Sequence, residues 1–368
     1  MPEYVVRIPG RDYCWRAEIS GGKLVSLSRA ENAAADLWLT RGLVDIQVNG
    51  YAGVQLTAEG NTAGALARCE EALAGQGVAR WCPTVTTNDP QVIRASLGSI
   101  ARAIEDGALK RVHCIHMEAN FLSGEDGYRG AHIARYMQDP SIEEFDSWQE
   151  AAGGRIGYVS LAPERTGAID FIHTLANRGI IVALAHHNAS EQAVTAAADA
   201  GARLSTHLFN GCADQIPRHH NVIFSQLAED RLWASFIPDG NHVPYHALKV
   251  GLRAKGFERS VFTSDLVYLG GYPEGEYVKA ERTVEIRNGA IWIKGTNYLS
   301  GAWSSLAQGL ERATAAGVVS PGEALLLASR NPARLLGLED ELEPAAGSSG
   351  PFVIFRETAG SLKLEKIL

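Results

Sequence analysis

The chain is poor in the features that would place it outside ordinary globular proteins. Its 368 residues hold five cysteines, Cys14, Cys69, Cys82, Cys114 and Cys212, an odd number without a C-x-x-C pair. That argues against a disulfide framework and a thiolate zinc site, so reduced, buried thiols are expected. No stretch approaches 18 uninterrupted apolar residues, and the first residues lack a basic segment followed by an apolar one. A membrane protein is therefore not expected, nor a secreted one, and a cytoplasmic location is. Long basic runs are missing too: 34 Lys and Arg stand against 42 Asp and Glu, for a formal charge of −8. Such a balance gives no track for a phosphate backbone, so nucleic acid is not an expected partner. What is present, 46% apolar and 21% charged residues with 38 Gly, is the make-up of a soluble globular protein.

The first 40 residues alternate apolar and polar positions in short runs broken by glycines, and 352–355 and 361–364 do the same after a Pro/Ala/Gly/Ser-rich stretch at 344–351. These patterns predict small antiparallel strands at both termini that share one β domain. From residue 42 the texture becomes apolar runs alternating with amphipathic segments of helical length, the pattern of repeated βα units. Eight runs stand out: 43–48, 80–85, 112–117, 156–161, 180–184, 203–207, 233–237 and 260–263. Eight parallel strands predict an α/β fold, a (β/α)8 TIM barrel, which by itself takes roughly 250 residues. A hairpin at 282–286 and 290–294, turning at Asn288-Gly289, follows the last run and is expected to decorate the barrel or to pair with the small domain.

In such a barrel the chemistry sits at the C-terminal ends of the strands. Here those ends read Asp45-Ile46-Gln47-Val48-Asn49, His116-Met117-Glu118, His186-His187-Asn188, Thr206-His207-Leu208-Phe209-Asn210, Asp239-Gly240-Asn241-His242 and Ser264-Asp265. Glu118, His186 and His207, from separate strands, are good ligands for one divalent metal and leave a fourth position for water, whose pKa would fall toward about 7. Asp265 is then the acid/base group, taking the water proton and passing it to the leaving amine. His187 is expected on the opposite face from His186, and His116 one layer below Glu118.

These motifs together resemble the amidohydrolase superfamily, and within it the N-acetylglucosamine-6-phosphate deacetylases, over nearly the whole chain. Gly42 to Gly50 is similar to the family's first-strand signature, in which Gln47 and Asn49 stand where two-metal relatives have His-x-His. Neutral amides are poor ligands, so one metal is expected, zinc first, with Fe2+ or another divalent ion as the alternative. The resemblance implies Glu118, His186 and His207 as ligands, Asp265 as base and then acid, and His242 and Asn210 as substrate contacts. It implies that His132, in Arg129-Gly130-Ala131-His132, touches the sugar or its acetyl carbonyl. It also implies a small β-sandwich from 1–41 with 342–368, a hydrolase barrel over 42–341, and a homodimer.

The expected substrate is a small N-acyl amino sugar, N-acetylglucosamine 6-phosphate, with another N-acyl amine or an unphosphorylated sugar as the alternative and a non-catalytic barrel subunit as a rival of another class. Arg218 is the expected phosphate partner, with the Asn210 amide and the Gly211 N–H as neutral donors, because a guanidinium binds phosphate oxygens bidentately. Departures from the family pattern cluster around the sugar and not the metal: Ala119-Asn120 replaces Gly-Pro, His187 replaces Ser, Gly211-Cys212 replaces Ala-Met, and His219-His220-Asn221 replaces Glu-Pro-Gly.

Overall fold

The computed structural model describes residues 2–31, 33–279 and 281–368. Eight parallel strands form the barrel, here numbered along the chain: β1 Leu43–Val48, β2 Val78–Thr86, β3 Ile115–Glu118, β4 Ile156–Leu161, β5 Ile181–Leu184, β6 Leu204–Ser205, β7 Trp233–Phe236 and β8 Ser260–Phe262. Each pairs with its neighbour in chain order. β8 and β1 meet just beyond their ends, where Asp265 N–H donates to Gln47 O at 3.1 Å and Asn49 N–H to Leu266 O at 2.8 Å. The buried Asp45 carboxylate reinforces that seam by accepting from Thr263 Oγ1 at 2.7 Å and from Ser264 N–H at 3.0 Å.

The expected strands agree with the observed ones except at their ends. β6 is the clearest case, stopping at Ser205 because Thr206 and His207 leave the extended conformation, His207 with φ +33°. Intervening helices start where hydroxyl residues can cap them: Thr62 accepts from Ala65 N–H, Ser190 from Ala193 N–H, and Ser305 forms a reciprocal capping box with Gln308. Their apolar faces pack on the barrel around Trp81, Phe121, Trp148, Phe171 and Phe236.

Both termini join one six-stranded sheet in the order 361–367, 353–358, 37–40, 3–7, 14–20, 23–29. Its far edge bends back on the segment leading to 353, through Leu24 N–H to Ser348 O and Gly350 N–H to Gly22 O. Val6, Ile8, Leu24, Leu39, Phe352 and Ile354 are thereby enclosed in a core of their own. Val353, Phe355 and Leu362 point the other way, into the barrel's apolar layer.

The hairpin after β8 decorates the barrel. Arg282–Arg287 and Ala290–Ile293 pair around Asn288 and Gly289, both at positive φ, and a further strand, Gly275–Lys279, completes a three-stranded flap at the barrel mouth. No helix among the described residues is long and apolar enough to cross a membrane.

Candidate metal centre and active site

Glu118 ends β3, and His186 and His207 follow β5 and β6, so the barrel's own symmetry brings three separate side chains to one point. Their ligand atoms all lie within 4.8 Å of one another. His207 Nε2 is 2.9 Å and His186 Nε2 3.8 Å from Glu118 Oε1. The backbone at His186, His207 and Asp265 has φ of +47°, +33° and +54°. Non-glycine residues pay about 1–3 kcal/mol each for such conformations, which persist where the surroundings over-determine them.

His186 is oriented like a ligand. Its Nδ1–H donates to Tyr128 O at 2.9 Å, which leaves the Nε2 lone pair facing Glu118. Gly130 and Gly211 flank the ring so closely that a Cβ would lie 3.0 Å and 2.8 Å from it, at φ +56° and +62°. The Nδ1 of His207 is buried without a hydrogen-bond partner among the described residues, so no scaffold contact claims that ring. Burial, with help from His207, pushes His186 down to about 4, and burial also lowers His207. Both imidazoles are therefore neutral and able to ligate at neutral pH. Burial conversely raises Glu118, a charge that needs a cation beside it. The donor set, buried and poor in other partners, fits one divalent metal.

Asp265 stands across the cavity after β8. Asn49 Nδ2 donates to its Oδ1 at 2.6 Å and Gln47 Nε2 to the same oxygen at 3.1 Å. Burial and the Glu118 charge raise the Asp265 carboxyl above the usual range, which suits a group that must hold and release a proton. His242 Nδ1–H donates to Asp239 Oδ2 at 2.8 Å. Burial opposes its ionisation, but the Asp239 charge and hydrogen bond prevail and raise it. His132 lines the cavity with its ring centroid 4.5 Å from that of His186, Nδ1 2.8 Å from Thr87 Oγ1 and Nε2 3.9 Å from Glu118 Oε2. Burial first, then the neighbouring imidazoles, hold it well below the usual histidine range.

One cavity of about 330 Å³ contains Glu118, His132, His186, His207, Asn210, Gly211, His242 and Asp265. Arg218 is the exception among the residues singled out from the sequence. It is exposed on the 211–221 loop and does not line the cavity. His116 lies one layer down, stacked on Tyr158 at 3.7 Å with Nε2 2.8 Å from Ser160 Oγ. His187 turns away, its Nδ1 accepting from Ala189 N–H at 3.2 Å. Two cations of the cavity wall, Lys279 and Arg282, gave no sign in the sequence. They come from the flap, where an alternating strand pattern does not reveal which face meets the site.

No family model matches the chain. Among curated proteins, the Rattus norvegicus N-acetylglucosamine-6-phosphate deacetylase is 30% identical over 332 residues, covering 87% of this chain and 80% of the relative. The N-acetylgalactosamine-6-phosphate deacetylase of Escherichia coli O157:H7 is 29% identical over 300 residues, 81% of this chain and 78% of that one. Among solved structures, the Mycobacterium smegmatis N-acetyl-D-glucosamine-6-phosphate deacetylase in complex with N-acetyl-D-glucosamine-6-phosphate superposes with a TM-score of 0.82 at 26% identity, covering 95% of this chain and 94% of that one. The Thermotoga maritima N-acetylglucosamine-6-phosphate deacetylase shares the fold at a TM-score of 0.83 and 21% identity, over 97% and 98% of the two chains. At 30% identity to the rat relative over most of both chains, and with the fold of these solved structures, the chain belongs to the N-acetylglucosamine-6-phosphate deacetylase family of the amidohydrolase superfamily.

Proposed function

We propose that the protein hydrolyses the acetamide of N-acetylglucosamine 6-phosphate, giving glucosamine 6-phosphate and acetate. The observation that carries this reading is the convergence of Glu118, His186 and His207 opposite Asp265 in one cavity, in a chain whose relatives carry that activity. Glu118 Oε1, His186 Nε2 and His207 Nε2 would hold one divalent metal, zinc in the first instance. When bound, it supplies Lewis acidity to the amide carbonyl and to the attacking water.

The chain's own groups do the rest. Asn49 and Gln47 occupy Oδ1 of Asp265 and leave Oδ2 to take the proton of the attacking water. As the C–N bond breaks, the same carboxyl returns that proton to the departing amine, so hydrolysis gives the free amine and acetic acid, which ionises to acetate by releasing its remaining proton to solvent, and Asp265 is again a carboxylate. With Thr87 Oγ1–H donating to Nδ1 of His132, its Nε2 carries the proton and donates to the acetyl carbonyl oxygen. His242, fixed through Nδ1 by Asp239, keeps Nε2 for a sugar oxygen, and the Asn210 amide and Gly211 N–H serve as neutral donors. The barrel over 42–341 is the hydrolase unit and 1–41 with 342–368 its β partner. A cytoplasmic homodimer completes the reading, with exposed apolar Phe224 and Val250 available to a second copy.

The test is release of free amine from N-acetylglucosamine 6-phosphate, with the galactosamine epimer and the unphosphorylated sugars alongside. The epimer belongs in the panel because a relative of nearly the same identity is named for it. Turnover of neither phosphorylated sugar would reject the reading.

A further inference from the structure

Asn120 ties together two loops that meet at the cavity. β2 and β3 pair as far as Thr86 and Glu118, and beyond that point the ladder ends. Asn120, two residues past Glu118 and 1% exposed, takes over there. Its Oδ1 accepts from the Asn88 N–H at 3.2 Å and its Nδ2 donates to the Asn88 carbonyl at 3.0 Å. One carboxamide thus grips one backbone residue through both its donor and its acceptor, as a neighbouring strand would. The main-chain oxygen of Asn120 accepts from the Gln138 N–H at 2.9 Å. A single residue therefore holds the loop that carries Thr87, next to Asn88, and the segment that follows His132. Thr87 and His132 are 45 residues apart in the chain, and Thr87 Oγ1 lies 2.8 Å from His132 Nδ1. Thr87, Asn88 and His132 line the cavity, but Asn120 does not.

Resting on the function proposed above, we propose that Asn120 is a positioning residue for deacetylation: by gripping Asn88 and Gln138 it fixes Thr87 Oγ1 against His132 Nδ1 and so aims His132 Nε2 at the acetyl carbonyl. A neutral imidazole has two tautomers, and a hydroxyl donating to Nδ1 selects the one with its proton on Nε2. That selection holds only while the Thr87 backbone, past the end of β2, stays in place. A donor at the acetyl oxygen matters most in the transition state, when charge develops on that oxygen, so its aim bears on turnover more than on binding. The proline of the family pattern stiffens a loop through its fixed φ but has no side-chain donor or acceptor. Asn120 in its place carries the constraint across to the neighbouring loop. It touches neither cavity nor ligand atoms, so it acts through Thr87 and His132.

The experiment is steady-state deacetylation of N-acetylglucosamine 6-phosphate by wild type, Asn120→Ala, Asn120→Asp, His132→Ala and the double variant Asn120→Ala with His132→Ala, with metal content measured on each. Asn120→Ala should lower kcat by about 10- to 100-fold, the scale of a misaligned catalytic group, with KM within about twofold and metal content unchanged. Asn120→Asp keeps the shape and the oxygen for the Asn88 N–H, and should lose less. In the His132→Ala background the Asn120→Ala change should cost less than about twofold, because the group it aims is gone. Normal kcat, a loss expressed in KM, loss of metal along with activity, or an undiminished loss in the double variant would overturn the proposal. If Asn120→Ala does not fold, Asn120→Asp is read by the same criteria. Nitrogen-15 NMR of histidine-labelled protein reads the positioning without substrate. The His132 signals, identified by their absence from His132→Ala, should show Nε2 protonated and Nδ1 bare in wild type, and a mixture of tautomers in the Asn120 variants. Unchanged signals would overturn the proposal too. If wild type turns over neither phosphorylated epimer, the functional reading fails separately, and the NMR comparison still decides whether Asn120 holds His132.

Discussion

Asn49 Nδ2 lies 2.6 Å from Asp265 Oδ1, so the residue that follows β1 holds the carboxylate that follows β8. The same stretch closes the barrel, with Asp265 N–H on Gln47 O and Asn49 N–H on Leu266 O. Gln47 and Asn49 thus have a use that the His-x-His comparison did not suggest: they aim the carboxyl proposed as the acid/base group. Asn49→Ala should lower kcat by about 10- to 100-fold with metal content unchanged, since only the orientation of Asp265 is lost. Parallel kinetics and metal analysis check this, and loss of the metal would assign Asn49 a different role.

Removing Asp265 itself goes further. Asp265→Asn should retain the fold and the metal but lose about 10²- to 10⁴-fold in turnover, the usual contribution of a positioned proton-transfer group. Circular dichroism, metal analysis and single-turnover assays on the variant measure the three quantities. Near-normal turnover would move the proton transfer to another residue.

The ligand assignment has its own signature. Glu118→Gln and His207→Asn should each lose metal and activity together, while wild type carries about one divalent ion per chain. Elemental analysis of purified protein reads the stoichiometry and the identity of the metal. Full occupancy in both variants would refute the assignment.

Gly211 tests how tightly the His186 ring is held. At φ +62°, with a new Cβ only 2.8 Å from His186 Nδ1, Gly211→Ala must push the ring off its bond to Tyr128 O. Displacing a ligand's orienting contact costs about 10- to 100-fold in metal affinity. Competition with a chelator measures it, and unchanged affinity would show that the ring has room to move.

The Asp239–His242 pair predicts a pH window for stability. His242 is raised by its partner, so its contribution is complete below about pH 6.5 and is lost as pH rises through the higher folded value. Asp239 is lowered: burial works against ionisation, yet the His242 charge and hydrogen bonds outweigh it. Its contribution is complete above about pH 4 and is lost as pH falls through the lower folded value. The Tm difference between wild type and Asp239→Asn should therefore peak at about pH 4–6.5 and shrink on either side. A flat difference from pH 4 to 9 would mean that the pair contributes through packing alone.

The amino-acid sequence by itself determined the barrel, because buried parallel strands must be apolar throughout and helices must be amphipathic, so β1 and β4 are legible to the residue. It also pointed to the residues that share the cavity, since a polar side chain placed directly after an apolar strand has only the C-terminal face to occupy. Glu118, His186, His207 and Asp265 could be named for that reason. Tertiary structure alone decided how those groups are held: the Tyr128 carbonyl on His186, the Asn49 and Gln47 amides on Asp265, and Thr87 against His132 are contacts between residues 45 or more positions apart. It alone decided which cations meet the cavity as well. Motif spacing pointed to Arg218, which the 211–221 loop carries to the surface, whereas the flap folds Lys279 and Arg282 over the mouth. Strand periodicity tells which residues share a face. Which face is covered, and by what, depends on where the flap docks on the barrel.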